Sequence, residues 1–399
     1  MASPPSRWAQ GFAALAGVRA QLAAADDEVM RTQVAVSQVA APTGDESRRA
    51  AWVRDRFAER RLTGVRVDAA GNVIGRRPGQ RDLPPVVVCA HLDTVFPLET
   101  PLAVRREGAR YAGPGITDNG RGLAVMLALA AAIDGASVAP ERPVEFLGST
   151  GEEGNGDLRG VKHYFANAER RPASLIAVDG AGDRRITHRA LGTRRYRVTF
   201  DGPGGHSWAA FGAPNAIHAA AGATSRLAAI PLPGAPRTTL NVGRIGGGIS
   251  VNSIPAHAWL EVDVRSAGGT LLDRLEHEVH RAIAAAVDEE NARRDRGTPP
   301  LAARIERIGD RPGGETPRDH PLVEAAVALT ALSGGEPELA IASTDANVPI
   351  GLGIPAIAIG GGGVGGETHS VAEWFENADG TRGVARALAI VMAAAEAAD

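Results

Sequence analysis

The sequence predicts an α/β domain interrupted by an inserted α+β domain, and three observations carry that expectation. The chain has 399 residues, more than one small module needs and enough for two domains at roughly 100–200 residues each. Short apolar runs that read as buried strands alternate with helical stretches through the first 180 or so residues, the pattern of a sheet with helices on both faces. Near residue 190 this gives way to longer, half-apolar alternating runs, and the first pattern returns after residue 300. Hydrophobic residues make up 44% and charged residues 22%, which fits folded domains and not a disordered chain.

Taken in order, residues 8–40 mix apolar and polar positions without a clear period, and APTGDES (41–47) supplies a turn and a helix N-cap. Residues 45–61 read as an amphipathic helix with Ala51, Val53 and Phe57 among its apolar positions. GVRVDAAGNVI (64–74) alternates about a turn and predicts a β-hairpin. PVVVCA (85–90) is a continuous apolar run with β-branched residues, as in a strand covered on both faces. Helices are expected at 122–133 and from about 158, with strands at 144–147 and 175–178. The inserted segment then reads as strand 193–200, helix 215–230, strands 238–245 and 258–264, and helix 271–293. That β-α-β-β-α order resembles a ferredoxin-like split βαβ unit. A strand at 356–359 and a terminal helix over 380–397 complete the outer domain. The expected domains are therefore 1–190 with 305–399, and an insertion at 191–304.

Composition excludes several classes of function. Lys and Arg number 43 against 46 Asp and Glu, a net charge of −3, so nothing marks a nucleic-acid-binding surface. A single cysteine, Cys89, rules out an internal disulfide framework and a cysteine-based zinc site, and reads as a small buried strand residue. The N-terminal residues lack the basic start and long apolar stretch of a signal peptide. No run approaches the roughly 20 apolar residues of a membrane span. A soluble, cytoplasmic protein is the expectation.

Polar clusters sit where an open α/β sheet places its ligands, beyond strand ends. His91 and Asp93 follow PVVVCA, Glu152 and Glu153 follow VEFLG, and Asp179 follows LIAV; Asp118 opens a helix, and His369 follows the glycine run GGGGVGG (360–366). Two imidazoles and three carboxylates, His91, Asp118, Glu153, Asp179 and His369, suit zinc or a similar divalent ion. Two neighbouring ions would need one bridging carboxylate, and Asp118 stands in the middle of the set. Asp93, two residues past His91, is placed to orient that imidazole through its second nitrogen. Each piece alone has a plainer meaning. His-x-Asp is common at strand ends, Glu-Glu favours a solvated face or a helix start, and Asp-Asn-Gly is a turn. Together and in this order they are hard to explain as unrelated turns. His277 and His280 lie on a charged helix and read as solvated, and His163 and His188 have no matching partners.

The segments HLDTV (91–95), GPGITDNGRG (113–122), GEEGNGDLRG (151–160), VDG (178–180) and ETHS (367–370) resemble the dinuclear-zinc M20 peptidases and amidohydrolases. So do GPGGHSWAAFGAPNAI (202–217), VNSIPAHAWLEVDVRS (251–266) and STDANVPIGLGIPAIAIG (343–360), so that the resemblance covers nearly the whole chain. It implies a zinc-exopeptidase-like catalytic domain, a mixed sheet flanked by helices, with an inserted ferredoxin-like domain that acts as lid and forms a homodimer. It implies two divalent ions, zinc first and cobalt or manganese as alternatives. His91 and Asp179 would hold one, Glu153 and His369 the other, and Asp118 would bridge. Glu152 would be the general base, and His206 would reach a partner's site to bind the substrate carbonyl. Asn241 and Arg265 match substrate-binding positions of some members, although the first sits in a strand and the second could simply pair with an acid. The Asp118–Asn119 peptide would be cis.

The resemblance implies a small substrate, either a short peptide or an N-acyl amino acid. Asp179 within VDG, the GEEGNGDLRG loop and the serine after His369 lean toward the peptidase-T arm. GPGGHSW departs from the His-Pro-Gly pattern of tripeptidase T, which points away from strict tripeptide specificity. A binding protein on the same scaffold should have lost the base or a ligand, and this chain has them all.

Overall fold

Every residue of the strand Val86–His91 is buried, because both of its faces are covered. Val86, Val88 and Ala90 pack with Leu123, Val384 and Leu388 on one face, while Val87 and Cys89 pack with Leu147, Val161 and Tyr164 on the other. The computed structural model describes residues 7–135 and 139–396. The chain divides into two compact units, one formed by residues 1–190 and 315–399 and the other by 191–314.

In the first unit the main sheet runs in the order Thr63–Val67, Val73–Arg77, Val144–Ser149, Val86–His91, Ser174–Val178, Ala356–Ile359 and Arg185–Ala190, with Glu338–Ala342 beside the last. The four strands from Val144–Ser149 to Ala356–Ile359 are mutually parallel. Val73–Arg77 and Arg185–Ala190 join them antiparallel. The sheet is thus mixed, with four carboxyl ends at one edge. Helices Ser47–Glu59, Gly120–Gly135, Pro321–Leu332 and Gly380–Ala395 contribute to the core on one face, and Arg159–Asn167 to the core on the other. Val53 and Phe57 are fully buried as expected, whereas Ala51 is only half-buried.

The second unit is a four-stranded antiparallel sheet in the order Thr238–Gly247, His257–Ser266, Gly192–Asp201 and Ala302–Arg311. Strand His257–Ser266 alternates strictly between buried residues and exposed or half-exposed ones, as one covered face requires. Ala258, Leu260, Val262 and Val264 pack under helices Ala216–Ala228 and Gly269–Ala292, through Ala219, Ala223, Leu275 and Val279. Asn215 caps the first of these helices, its Oδ1 accepting the amides of Ile217 and His218 at 2.9 and 3.2 Å.

Several expectations are corrected. The inserted unit ends at Gly314 and not at 304, because Ala302–Arg311 pairs along Gly192–Asp201 as a fourth strand. That strand is an edge with charged, exposed positions, so no apolar run announces it. Residues 7–37 form three helices, which the mixed pattern did not reveal. The helix at Ser47 has no side-chain cap at Glu46. Instead the Glu46 carboxylate accepts the Gly44 and Gly151 amides at 3.0 and 3.1 Å and pairs with Arg159. No helix among the described residues is long and apolar enough to cross a membrane.

Candidate metal centre and active site

The parallel strands deliver the site from their carboxyl ends. His91 is the last residue of its strand and stands level with Ser149, three residues before Glu152. Asp179 follows Val178, and its amide donates to the Ile359 carbonyl at 2.9 Å. Asp118 closes the loop before helix Gly120–Gly135, and the peptide that follows it is cis. Asn119 fixes this loop to the Asp179 segment. Its Nδ2 donates to the Val178 carbonyl at 2.9 Å, and its Oδ1 accepts the amides of Gly122 and Gly180 at 3.0 and 3.2 Å. Gly122 is required here, since a Cβ would lie 2.1 Å from Asn119 Oδ1 and 2.2 Å from the Val178 carbonyl oxygen.

Asp118 then stands between the two histidines. Its Oδ1 is 3.0 Å from His91 Nε2, and its Oδ2 is 3.1 Å from His369 Nε2. His369 Nε2 is also 3.0 Å from Glu153 Oε1, and His91 Nε2 is 3.8 Å from Asp179 Oδ1. Ligand atoms of His91, Asp118 and Glu153 lie within 4.8 Å of one another. All five expected ligands are therefore in one cluster. Two donors on one tetrahedral zinc are separated by about 3.3 Å at ordinary ligand distances, close to these spacings.

The hydrogen bonding explains why a cation suits the cluster. His91 Nδ1 is 3.0 Å from the Asp93 backbone carbonyl, which can only accept, so Nδ1 carries a proton. A neutral imidazole then turns its Nε2 lone pair toward the Asp118 and Asp179 carboxylates. Either a second proton or a metal ion must relieve that repulsion. Burial opposes a charge on His91, but the facing carboxylates of Asp118, Asp179 and Asp93 hold its pKa well above the usual imidazole value. The hydrogen bond to Asp118 pushes His369 up to about 9. Asp118 itself, despite burial, is held well below the carboxylate range by His369 and His91. Burial pushes Glu153 up to about 6.

Asp93 has a different hydrogen-bonding role from the expected one. Its carboxylate lies 3.6 Å from His91 Nδ1, and the backbone carbonyl takes the closer contact. The carboxylate accepts the Glu152 amide on Oδ1 and the Glu153 amide on Oδ2, both at 2.9 Å, and the Thr43 hydroxyl at 2.8 Å. Against the effect of burial, His91 and these amides bring it to about 2. Asp93 thus holds the backbone of the Glu152–Glu153 pair, and both glutamates are buried.

Further residues around the cluster lie outside the polar clusters that the sequence pattern singles out. Glu373, fully buried, accepts three amides of the Asp118 loop: Gly115 at 2.9, Thr117 at 2.7 and Asp118 at 2.8 Å. Burial pushes it up to about 7 against the pull of those amides. An acid within the otherwise apolar VAEWF (371–375) was the available clue. Arg49, also fully buried, donates to the Leu92 carbonyl between His91 and Asp93 at 2.8 Å. A cavity of about 380 Å³ adjoins Asp118 and Asp179, walled also by Thr117, Arg185, Thr344 and Thr368. Arg185 opens a strand that runs antiparallel to Ala356–Ile359, which brings a cation to the sheet edge that carries the ligand-type residues.

The remaining expected residues belong to the second unit. His206 is exposed on the two-residue strand Gly205–His206, and its Nδ1 accepts the amides of Trp208 and Ala209 at 3.2 and 3.5 Å. Asn241 is exposed on an edge strand opposite Asp263. Arg265 donates to Asp263 at 2.7 Å, the local pairing its alternative reading anticipated.

Comparisons with known proteins agree with this geometry. The model of peptidase family M20/M25/M40 matches residues 87–393. A probable carboxypeptidase of Aspergillus clavatus is 30% identical over 280 residues, 63% of this chain and 60% of that protein. One from Aspergillus terreus is 29% identical over 228 residues, 54% and 52%. The chain thus spans about half to three-fifths of the length of these curated relatives. Aminopeptidase PepT of Bacillus cereus superimposes with a TM-score of 0.74 at 22% identity, covering 93% of this chain and 99% of that one. A tripeptidase of Staphylococcus aureus gives 0.75 at 20% identity, covering 92% and 98%. With five ligand-type side chains gathered at one sheet edge and a family match over that whole region, the chain belongs to peptidase family M20/M25/M40.

Proposed function

We propose that the protein is a dinuclear-metal hydrolase that cleaves an amide bond of a small peptide, with Glu152 as general base. The observation that carries this reading is Asp118 offering one oxygen to His91 and the other to His369, beside a buried Glu152 whose backbone is fixed by Asp93. His91 and Asp179 would hold one ion and Glu153 and His369 the other, with Asp118 shared. Two imidazoles with carboxylates fit zinc best, and cobalt or manganese also. When bound, such ions acidify water and offset the negative charge that grows on a substrate carbonyl oxygen.

Glu152 removes the proton from the attacking water as the new C–O bond forms, then returns it to the nitrogen as the C–N bond breaks. A carboxylate suits both transfers because one oxygen can take up the proton and then release it. Arg185, in the wall of the cavity next to Asp118 and Asp179, supplies a positive charge for a substrate carboxylate. His206 has Nδ1 occupied as an acceptor, so its Nε2–H is a donor, suited to a substrate carbonyl. In the homodimer of this proposal, formed through residues 191–314, it is the partner subunit's His206 that reaches the site. Asn241 and Arg265 would contribute to substrate binding from the same unit.

The test is a panel of free di- and tripeptides set against their N-acetylated counterparts, with and without chelator. Metal-dependent cleavage of the free peptides supports the reading. Preference for the blocked compounds would move it to an N-acyl-amino-acid amidohydrolase, and no cleavage of either would contradict it.

A further inference from the structure

We infer that Glu373 is the positioning residue of the shared carboxylate Asp118: it fixes the backbone from which Asp118 reaches both histidines. This rests on the metal-centre reading above and adds to it a residue outside the ligand set. Asp118 lies in the irregular stretch between strand Arg110–Ala112 and helix Gly120–Gly135, so no strand or helix ladder fixes its direction. Glu373 replaces that ladder. Its Oε1 accepts the amides of Thr117 and Asp118, and its Oε2 accepts that of Gly115. The same segment is stitched twice more, with the Gly113 amide donating to the Glu373 carbonyl at 2.9 Å and Thr117 Oγ1 to the Trp374 carbonyl at 3.0 Å.

Glu373 is also four residues from His369, whose Nε2 faces Asp118 Oδ2 at 3.1 Å. The segment that presents one histidine therefore also anchors the loop carrying the carboxylate between the two. A fully buried carboxylate is costly unless it is hydrogen-bonded. Here three converging amides donate to it, and one belongs to Asp118 itself. Groups that orient metal ligands in this way typically carry a 10–100-fold effect on metal affinity.

Glutamine is the informative replacement. With its oxygen toward Thr117 and Asp118, Glu373→Gln keeps two acceptor contacts but turns its NH2 against the Gly115 amide. Asp would retain the charge but withdraw it by one methylene. The experiment measures zinc affinity of the chelator-treated full chain by calorimetry, with amide hydrogen exchange and melting of the metal-free protein in parallel. For Glu373→Gln we expect roughly 10–100-fold weaker zinc binding, metal-free melting near that of the parent, and faster exchange confined to residues 113–119. Zinc affinity equal to the parent's would overturn the inference while leaving the metal centre intact. So would a loss of affinity accompanied by faster exchange throughout the first unit, because Glu373 would then serve the fold at large. If the parent chain itself binds no zinc, the metal-centre reading fails and this inference with it.

Discussion

Four carboxylates, Asp93, Asp118, Glu153 and Asp179, face two imidazoles at this site, an arrangement in which protons and the proposed metal ions would compete. In the metal-free protein His369 is raised from 6.5 to about 9, so the stability it contributes is complete below about 6.5 and lost as the pH rises through 9. Glu153, raised from 4.5 to about 6, acts in the same sense between those values. Stability of the chelator-treated chain should therefore fall from pH 6 to pH 9. A divalent ion must displace the same protons, so its affinity should rise over that range. Differential scanning of Tm with and without zinc at both pH values checks the two opposed trends; a zinc-induced rise in Tm that shrinks toward pH 9 would contradict them. A second expectation concerns Glu152, the proposed base and not a proposed ligand. Glu152→Gln should retain the parent's metal content and lose roughly 10²–10⁴-fold in kcat, read by elemental analysis and steady-state kinetics. Arg185→Ala should raise KM for substrates with a free carboxylate more than for their amides, with kcat little changed.

Among the elements, the helix Ala216–Ala228 offers a clean test of local sequence chemistry. Asn215→Ala removes acceptors for two helix-start amides and should cost about 1 kcal/mol, measured by denaturant unfolding. Many strands and helices were legible where burial imposed a period, but not all: the buried helix Pro321–Leu332 was not anticipated. Val86–His91 was visible as an unbroken apolar run because both faces are covered, and His257–Ser266 as an alternation because one is. Arg185–Ala190 and Ala302–Arg311 were not, since each carries arginines at positions that face solvent or pair with acids. The five ligand-type residues were legible because each follows or precedes a regular element. Glu373, Asn119 and Arg49 were not, because their work is to hold backbone amides and carbonyls, and that depends on which distant loops the fold brings to them. Asp93 shows the same limit: its place beside His91 was readable, but its grip on the amides of Glu152 and Glu153 was not.

For the whole molecule, the proposal joins a catalytic unit to an inserted one through an exchange of residues between subunits. Mixing His206→Ala with Glu152→Ala chains should restore part of the lost activity, because a hybrid dimer holds one site with an intact base and the partner subunit's His206. With subunit exchange demonstrated, no recovery would remove His206 from that role. Metal content of the purified chain, measured by elemental analysis alongside hydrolysis of small peptides, tests whether this is a two-metal hydrolase. About two zinc-like ions per chain, with amide hydrolysis that disappears on chelation and returns with metal, is the predicted result. A chain that takes up no divalent ion when supplied and cleaves no peptide or N-acyl amino acid would contradict it.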